Sequence, residues 1–209
     1  TLRGKRYFAP DITYKVIDPG QPTWNGQEEI MSISLQKGQK VSLTKESAGL
    51  NSVIVGLGWD EVQQAQGGGG FLASLFGGSQ KQQDIDCDAS AILLKNGHLE
   101  SNRDIVYYGN LTHVSGTVLH QGDNLTGAGA GDDEQIIINL AKVPAEYDRI
   151  VIVVNIYQAV QRRQHFGMIQ NAFVRLVDTR NNKELCKYNL TENYSGMTAM
   201  IFGEVYRHN

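Results

Sequence analysis

The chain has 209 residues, a net charge of -3 and a pI near 5.9, and 41% of its residues are hydrophobic. This composition is typical of a globular domain, and the weak negative charge, with no Lys/Arg cluster that offsets the acidic loop described below, argues against a nucleic-acid partner. No apolar run approaches the roughly 18 residues of a membrane span, and the first residues lack the basic-then-apolar order of a secretion signal. We therefore expect a cytoplasmic location, with Cys87 and Cys186 as reduced thiols.

The first 30 residues differ from the rest because they contain three of the four prolines and begin with several basic residues. We predict that residues 1–30 form an N-terminal arm or linker, and that a separate domain covers residues 31–209. Residues 11–17 alternate well enough to form one strand in this arm. The arm either packs on the main domain or reaches a partner subunit, where it would support self-association.

The domain itself is predicted to consist of many short strands separated by Gly and Asn turns. Residues 33–35 and 41–43 indicate a hairpin or a pair of short edge strands. Residues 53–59 indicate a buried strand, in which Gly56 and Gly58 suggest close packing or a bulge. Further strands are predicted at residues 84–94, 104–108, 117–120, 135–140, 150–157, 171–177, 184–188 and 197–206.

Helical periodicity is scarce, and only residues 158–165 indicate a short helix. The run at residues 150–157 is the most hydrophobic and predicts a central strand covered on both faces. The pattern as a whole predicts an all-β fold: a β-sandwich of two mainly antiparallel sheets with short helical connections.

Residues 67–78 form a glycine-rich insertion that contains the apolar hexamer Phe-Leu-Ala-Ser-Leu-Phe at residues 71–76. The glycines predict a flexible loop. The hexamer either folds onto the sheet or docks on a partner protein or a bilayer surface.

An acidic loop at residues 122–134 lies between two predicted strands and contains Asp123, Asp132, Asp133 and Glu134 with several glycines. Carboxylates crowded in this way repel one another unless a cation lies among them. Oxygen ligands on a loop rich in glycine are what a hard cation such as Ca²⁺ prefers. The alternative is a loop that is simply solvated.

A second acidic stretch contains Asp84, Asp86 and Asp88, which would share one face of a strand. Three carboxylates on one face require a counter-ion, so we expect Asp86 and Asp88 to combine with the acidic loop. Asp60, at the end of the predicted strand 53–59, is a further candidate. These loops are predicted to lie at one end of the sandwich.

The loop is not an EF-hand, although Asp123 to Glu134 spans twelve residues. That motif requires Asp or Asn at its third and fifth positions and Gly at its sixth, where this chain has Leu125, Gly127 and Ala128. Strands rather than helices flank the loop as well.

Other chemistries lack support in the sequence. The five histidines show no paired spacing for zinc, and the cysteines are isolated. The Lys-Ser/Thr end of a phosphate-binding loop is absent. Ser90 and Ser195 lack a recognisable nucleophile elbow, so we predict no catalytic residues and no enzymatic activity.

Several motifs in order resemble the TerD family of bacterial tellurium-resistance and general stress proteins. They lie at residues 55–60, 86–90, 122–134, 166–167, 171–173 and 199–207, and the resemblance covers residues 31–209. It implies a calcium-binding β-sandwich without known catalytic activity, bacterial in origin. The implied calcium ligands, carried over by position, are Asp60, Asp86, Asp88, Asp123, Asn124, Thr126, Asp132, Asp133 and Glu134.

The expected function is that of a non-catalytic, calcium-binding module in stress response and tellurium resistance. Its partners would be calcium and other stress-response proteins, some of them associated with the inner membrane, with no nucleic acid. The alternative is a calcium-dependent membrane-surface module, or a self-assembling scaffold, that uses the apolar residues 71–76 and the N-terminal arm.

Overall fold

The computed structural model of the chain describes residues 32–43, 48–61, 84–122, 131–190 and 194–207. The strands in chain order are β1 (Ile33–Leu35), β2 (Val53–Glu61), β3 (Cys87–Leu94), β4 (Ile105–Val106), β5 (Val118–His120), β6 (Glu134–Ile138), β7 (Arg149–Ile156), β8 (Ile169–Asp178), β9 (Lys183–Asn189) and β10 (Ala199–Tyr206). Helical pieces that lie wholly within the described ranges include an α-helical turn at Ala159–Arg162 and short 3-10 helices at Asn102–Asp104 and Phe166–Met168.

These strands form two sheets, as the sequence predicted. One has six strands in the order β1-β9-β8-β2-β6-β5, and the other has four in the order β10-β7-β3-β4. Neighbouring strands are antiparallel except β1 and β9, which run parallel. The predicted all-β sandwich of mainly antiparallel sheets with short helical connections is therefore confirmed.

Alternating residues of the central strands fill the space between the sheets. In β3, for example, Cys87, Ala89, Ala91 and Leu93 are buried in the core, and β7 contributes every second residue from Ile150 onward. Fully burying one side chain of Val, Leu or Ile size stabilises a fold by about 1.5–3 kcal/mol. The period-two pattern of these strands thus decides which face turns inward.

The predicted pairing of residues 33–35 with 41–43 is wrong. β1 is an edge strand, but it pairs in parallel with β9, with Ser34 opposite Lys187. Val41 and Ser42 belong to no strand. A turn does form here, since the N–H of Gln39 donates to the carbonyl of Gln36, but the chain then leaves the sheet.

Two other predicted strands are shorter than expected. β3 begins at Cys87 rather than at residue 84, and β4 covers two residues of the predicted 104–108. The hairpin turn at Asn96-Gly97 is present, with Lys95 bridged to His98 and φ values of 50° and 76° at the two turn residues. Such positive φ values explain why Asn and Gly occupy this turn.

Several predictions concern residues outside the described ranges. These are the N-terminal arm at residues 1–30, the glycine-rich insertion at residues 67–78, and the candidate ligands Asp123, Asn124 and Thr126. In the part of the chain that is described, no helix is long and apolar enough to cross a membrane.

Candidate functional site

One end of the sandwich brings the two acidic segments together. β2 ends where β6 begins, because the two strands are antiparallel and Leu57 lies opposite Glu134. β3 starts at the same end, where Glu134 reaches the backbone of Ala89. The end of β2 therefore lies close to the acidic residues that precede β6 and to those at the start of β3.

Asp132 lies across the backbone of β2, where two side chains donate hydrogen bonds to it. Arg175 donates to its Oδ1 at 2.7 Å, and Gln135 donates to its Oδ2 at 3.1 Å. A Cβ atom on Gly56 would lie 2.3 Å from the Asp132 carboxylate, so only glycine leaves room for it. The hydrogen bond from Arg175 to Asp132 raises the pKa of Arg175, and this carboxylate already has a cationic partner.

Asp133 and Asp60 lie at the end of β2. The backbone N–H of Trp59 donates to Asp133 Oδ2 at 2.9 Å, and Asn171 Nδ2 donates to Asp60 Oδ2 at 2.7 Å. Burial raises the pKa of Asp133, and the charges of Asp60 and Asp132 raise it further against the opposing effect of the Trp59 hydrogen bond. The charges of Asp60 and Asp132 therefore both act on Asp133.

Asp86 and Asp88 are buried, not exposed on a carboxylate face. Asn155 donates to Asp88 Oδ2 at 3.1 Å from the neighbouring position of β7, and Arg162 lies 3.9 Å from Asp86. Asp88 alternates with the core residues of β3, so its side chain lies on the outer face of the four-stranded sheet.

Glu134 lies between the two sheets. Its Oε2 accepts a hydrogen bond from the N–H of Ala89 at 2.5 Å and lies 3.4 Å from Nε2 of His120, and both side chains are fully buried. The N–H of Gly122 donates to the other ring nitrogen of His120 at 3.1 Å. Glu134 and His120 therefore hold the two ends of the acidic loop against β3.

The surroundings of Cys87 show that the two acidic segments are neighbours. Burial raises the pKa of its thiol, and the charges of Asp86, Glu134, Asp88 and Asp133 raise it further. Cys186 is also buried, and both cysteines are free. Within the described ranges, however, no three His, Cys, Asp or Glu side chains are arranged to hold a metal ion.

A cleft of about 580 Å³ opens beside Asp60 and Asp133. Its other walls are formed by Trp59, Gly131, Asn171, Ala172, Phe173, Lys187, Asn189 and Leu190. We call this the terminal cleft. Nothing in the sequence drew attention to Lys187, because β9 reaches this end only through its pairing with β8.

Asn171 is a further residue of the site that sequence reasoning missed. It has a φ of 53°, which is uncommon for a residue other than glycine inside a strand. The β2–β8 register shifts between Gly58 and Asp60, just opposite this position. This irregularity turns the Asn171 amide toward Asp60, and a positive φ at an Asn cannot be read from hydrophobic periodicity.

A separate cluster, in which His113 and Asp104 are buried and Ser115 is exposed, contains the residue types of a hydrolytic triad. Ser115 Oγ lies 2.6 Å from His113 Nδ1, and His113 Nε2 lies 3.3 Å from Asp104 Oδ1. The N–H groups of Ser115 and Gly116 bond to His113 itself, so these two groups do not form an oxyanion hole. The cluster instead fixes the 113–116 turn, and Tyr147 completes it by donating to Asp104 at 2.6 Å.

Comparison with known proteins gives a consistent result. The TerD domain family model matches residues 31–209. The chain is 55% identical over 177 residues to the stress response protein SCP2 of Bacillus subtilis (strain 168), which covers 85% of this chain and 86% of that protein. It is 47% identical over 180 residues to the tellurium resistance protein TerD of Serratia marcescens, with 86% and 85% of the two chains covered.

Among solved structures, a homologue of telluride resistance protein (TerD) from Streptomyces coelicolor A3(2) has the same fold. The alignment has a TM-score of 0.53 at 20% sequence identity and covers 77% of this chain and 83% of that chain.

Proposed function

The chain belongs to the TerD family of tellurium resistance and stress response proteins, and we propose that it is a calcium-binding module that acts by binding rather than by catalysis. We further propose that it works in the cytoplasm, with other stress-response proteins as its partners. The names of its relatives support the role in stress response.

The observation that carries the calcium proposal is the crowding of Asp60, Asp132 and Asp133 at the end of β2. Arg175 neutralises Asp132, whereas the N–H of Trp59 donates to Asp133 and the side-chain amide of Asn171 donates to Asp60. The raised pKa of Asp133 reflects burial together with this repulsion. A divalent cation would relieve the repulsion, and an all-oxygen donor set suits Ca²⁺.

Asp60 and Asp133 are the described residues best placed to hold the ion, since both line the open terminal cleft. Asp123, Asn124 and Thr126, outside the described residues, would supply further oxygens from the acidic loop. Asp86, Asp88, Asp132 and Glu134 have the protein contacts given above, and we propose that they support the site and the loop. When bound, Ca²⁺ would neutralise the charge of these carboxylates.

The proposal of binding without catalysis is supported by the described side chains. Ser115, His113 and Asp104 are joined by hydrogen bonds around a turn, and the described residues that line the terminal cleft include no serine, cysteine or histidine. Its chemistry is that of charged and amide groups beside an aromatic ring, which suits recognition.

Isothermal titration calorimetry with CaCl₂ tests the calcium site and gives its stoichiometry and affinity together. Thermal melting in calcium and in EGTA is the second measurement, because a ligand that binds the folded state raises the melting temperature. Magnesium at the same concentration controls for ionic strength. Absence of binding heat together with equal melting temperatures in calcium and EGTA would contradict the proposal.

A further inference from the structure

We propose that the terminal cleft receives the guanidinium group of an arginine side chain from a partner protein, and that Asp60 is its principal contact. The inference goes beyond the proposed calcium site, because it needs no bound metal. Where the ion is present, the two ligands would compete for Asp60.

The charged groups of the cleft favour a cationic ligand. Asp60 and Asp133 line it together with Lys187, and the three side chains give one net negative charge. This charge repels an acidic group and attracts a cation. An organic cation is held by hydrogen bonds to individual oxygens, so two carboxylates suffice where a metal ion needs a larger set of ligands.

The ammonium of Lys187 and the carboxylate of Asp60 enter the cleft from different places. Lys187 lies opposite Arg175 of β8, whereas Asp60 lies opposite Gln170, which is about 16 Å away along that strand. Lys187 Nζ lies 3.7 Å from the centroid of the Phe173 ring, in a cation–π contact that holds the ammonium against this wall. The end of the cleft at Asp60 is therefore its anionic end.

Asp60 is oriented to accept a hydrogen bond from a ligand. Asn171 Nδ2 donates to its Oδ2 at 2.7 Å, and this bond fixes the carboxylate group. A carboxylate has about four acceptor sites on its two oxygens, so the bond leaves capacity for the N–H groups of a guanidinium. Asp60 is also exposed, so a side chain that enters the cleft can reach it.

The other walls of the cleft suit the aliphatic part of an arginine. Ala172, Phe173 and Leu190 provide apolar surface along which its methylene groups can lie. The volume of about 580 Å³ is within the range of sites that enclose a small ligand, so one side chain has ample room. Arginine fits better than lysine, because its guanidinium is planar, more weakly hydrated and able to donate several hydrogen bonds at once.

NMR titration of the ¹⁵N-labelled full chain in EGTA tests this inference. The probes are blocked hexapeptides with one Arg flanked in turn by Gly, Ala, Leu or Phe, each paired with a lysine counterpart and with a citrulline counterpart, which has nearly the same shape as arginine and no charge. We expect at least one Arg peptide to bind about three- to tenfold more tightly than its citrulline counterpart, the range between an exposed ion pair and a charge-assisted hydrogen bond. The side-chain amide signals of Asn171 should shift, because this amide is bonded to Asp60.

Two variants assign the effect to the charges of the cleft. Asp60→Asn should remove the preference for arginine over citrulline. Lys187→Met should strengthen the binding of the Arg peptide, because the cleft then carries two net negative charges, and damage to the fold would not have this effect. The matched controls are Glu100→Gln, in the loop beyond the far end of β3, and Lys183→Met, at the far end of β9, and both should bind as the original chain does.

The outcomes separate this inference from the proposed function. It is overturned if no Arg peptide is preferred over its citrulline counterpart, if the preference survives in Asp60→Asn, or if the lysine peptides bind as tightly as the arginine peptides. In each of these cases the calcium site still stands when CaCl₂ produces binding heat. If calcium produces no heat but an Arg peptide is preferred as expected, the proposed function fails and this inference stands.

Discussion

The carboxylate of Glu134 accepts a hydrogen bond from the backbone N–H of Ala89 at 2.5 Å, and this bond joins the six-stranded sheet to the four-stranded sheet. Because Glu134 begins β6 and Ala89 lies in β3, the bond closes the sandwich directly below the acidic loop. Burying a carboxylate costs stability unless hydrogen bonds or ion pairs compensate it, and the Ala89 N–H provides such a bond at Oε2. Glu134 is thus a structural link in addition to being a member of the predicted ligand set.

Replacing Glu134 by Ala should destabilise the protein by about 2–3 kcal/mol, because the Ala89 N–H then loses its acceptor in a buried place. Glu134→Gln keeps an acceptor oxygen of the same reach and should cost less. Urea unfolding followed by circular dichroism measures both. Equal losses of stability in the two variants would show that the loss of the hydrogen bond to Ala89 does not cause the destabilisation.

Gly56→Ala should destabilise the protein by about 1–3 kcal/mol, the usual cost of overpacking. The new methyl group would overlap the Asp132 carboxylate and push it away from Arg175. The same substitution made together with Asp132→Ala should cost much less, since the overlap is gone. Denaturant midpoints of the original chain, the two single variants and the double variant give the coupling energy between positions 56 and 132. Additive effects of the two substitutions would disprove the overlap.

Asp133→Asn should abolish most of the calcium-dependent rise in stability, which is about 2.7 kcal/mol at a hundredfold excess of calcium over Kd. Asn still accepts the Trp59 N–H, and it removes a charge that Asp60 and Asp132 repel. The variant should therefore be at least as stable as the original chain in EGTA. Asp60→Asn should act in the same direction on calcium binding.

The control for these two variants is Glu100→Gln, which makes the same change of charge in the loop beyond the far end of β3. Differential scanning calorimetry in calcium and in EGTA measures all of them. A calcium response in Asp133→Asn as large as in Glu100→Gln would rule out Asp133 as a ligand.

Tyr147→Phe should reduce stability at neutral pH by about 1–2 kcal/mol by removing one hydrogen bond to Asp104. Burial acts to raise the pKa of Asp104, but the hydrogen bonds from Tyr147 and His113 outweigh it, and the pKa is lowered. A carboxyl group whose pKa is lowered in the folded state contributes stability above its unfolded pKa of about 3.9, and loses it as pH falls through the folded pKa.

The difference between Tyr147→Phe and the original chain should therefore shrink at acidic pH. Burial, and then the bond to Asp104, raise the pKa of Tyr147 to about 12, so its hydroxyl remains a donor throughout this range. Tyr108→Phe, at a tyrosine that is 43% exposed, is the matched control. Urea midpoints between pH 7 and pH 3 check the prediction, and a difference independent of pH would contradict it.

The strands that were predicted well are those in which hydrophobic side chains alternate with polar ones or run without interruption. β2, β7 and β8 alternate or are apolar throughout, so burial alone indicates them. The sequence also indicates which residues of β6 face inward. Glu134 lies on the same face as Ile136 and Ile138, so its carboxylate points inward once the predicted strand is extended by one residue to begin at 134. Beginning that strand at residue 135 left Glu134 in the loop and hid its structural role.

The sequence by itself determined the alternation of buried strands, the Asn-Gly turn, and an acidic loop between two strands. Only the tertiary structure decided that β1 pairs with β9, that Arg175 neutralises Asp132, and that Lys187 faces the same cleft as Asp60. The physical reason is that a strand's own residues fix which face is buried, whereas its partners are chosen by pairing across the sheet. The contacts that define the site join residues far apart in the chain, and no local pattern records them.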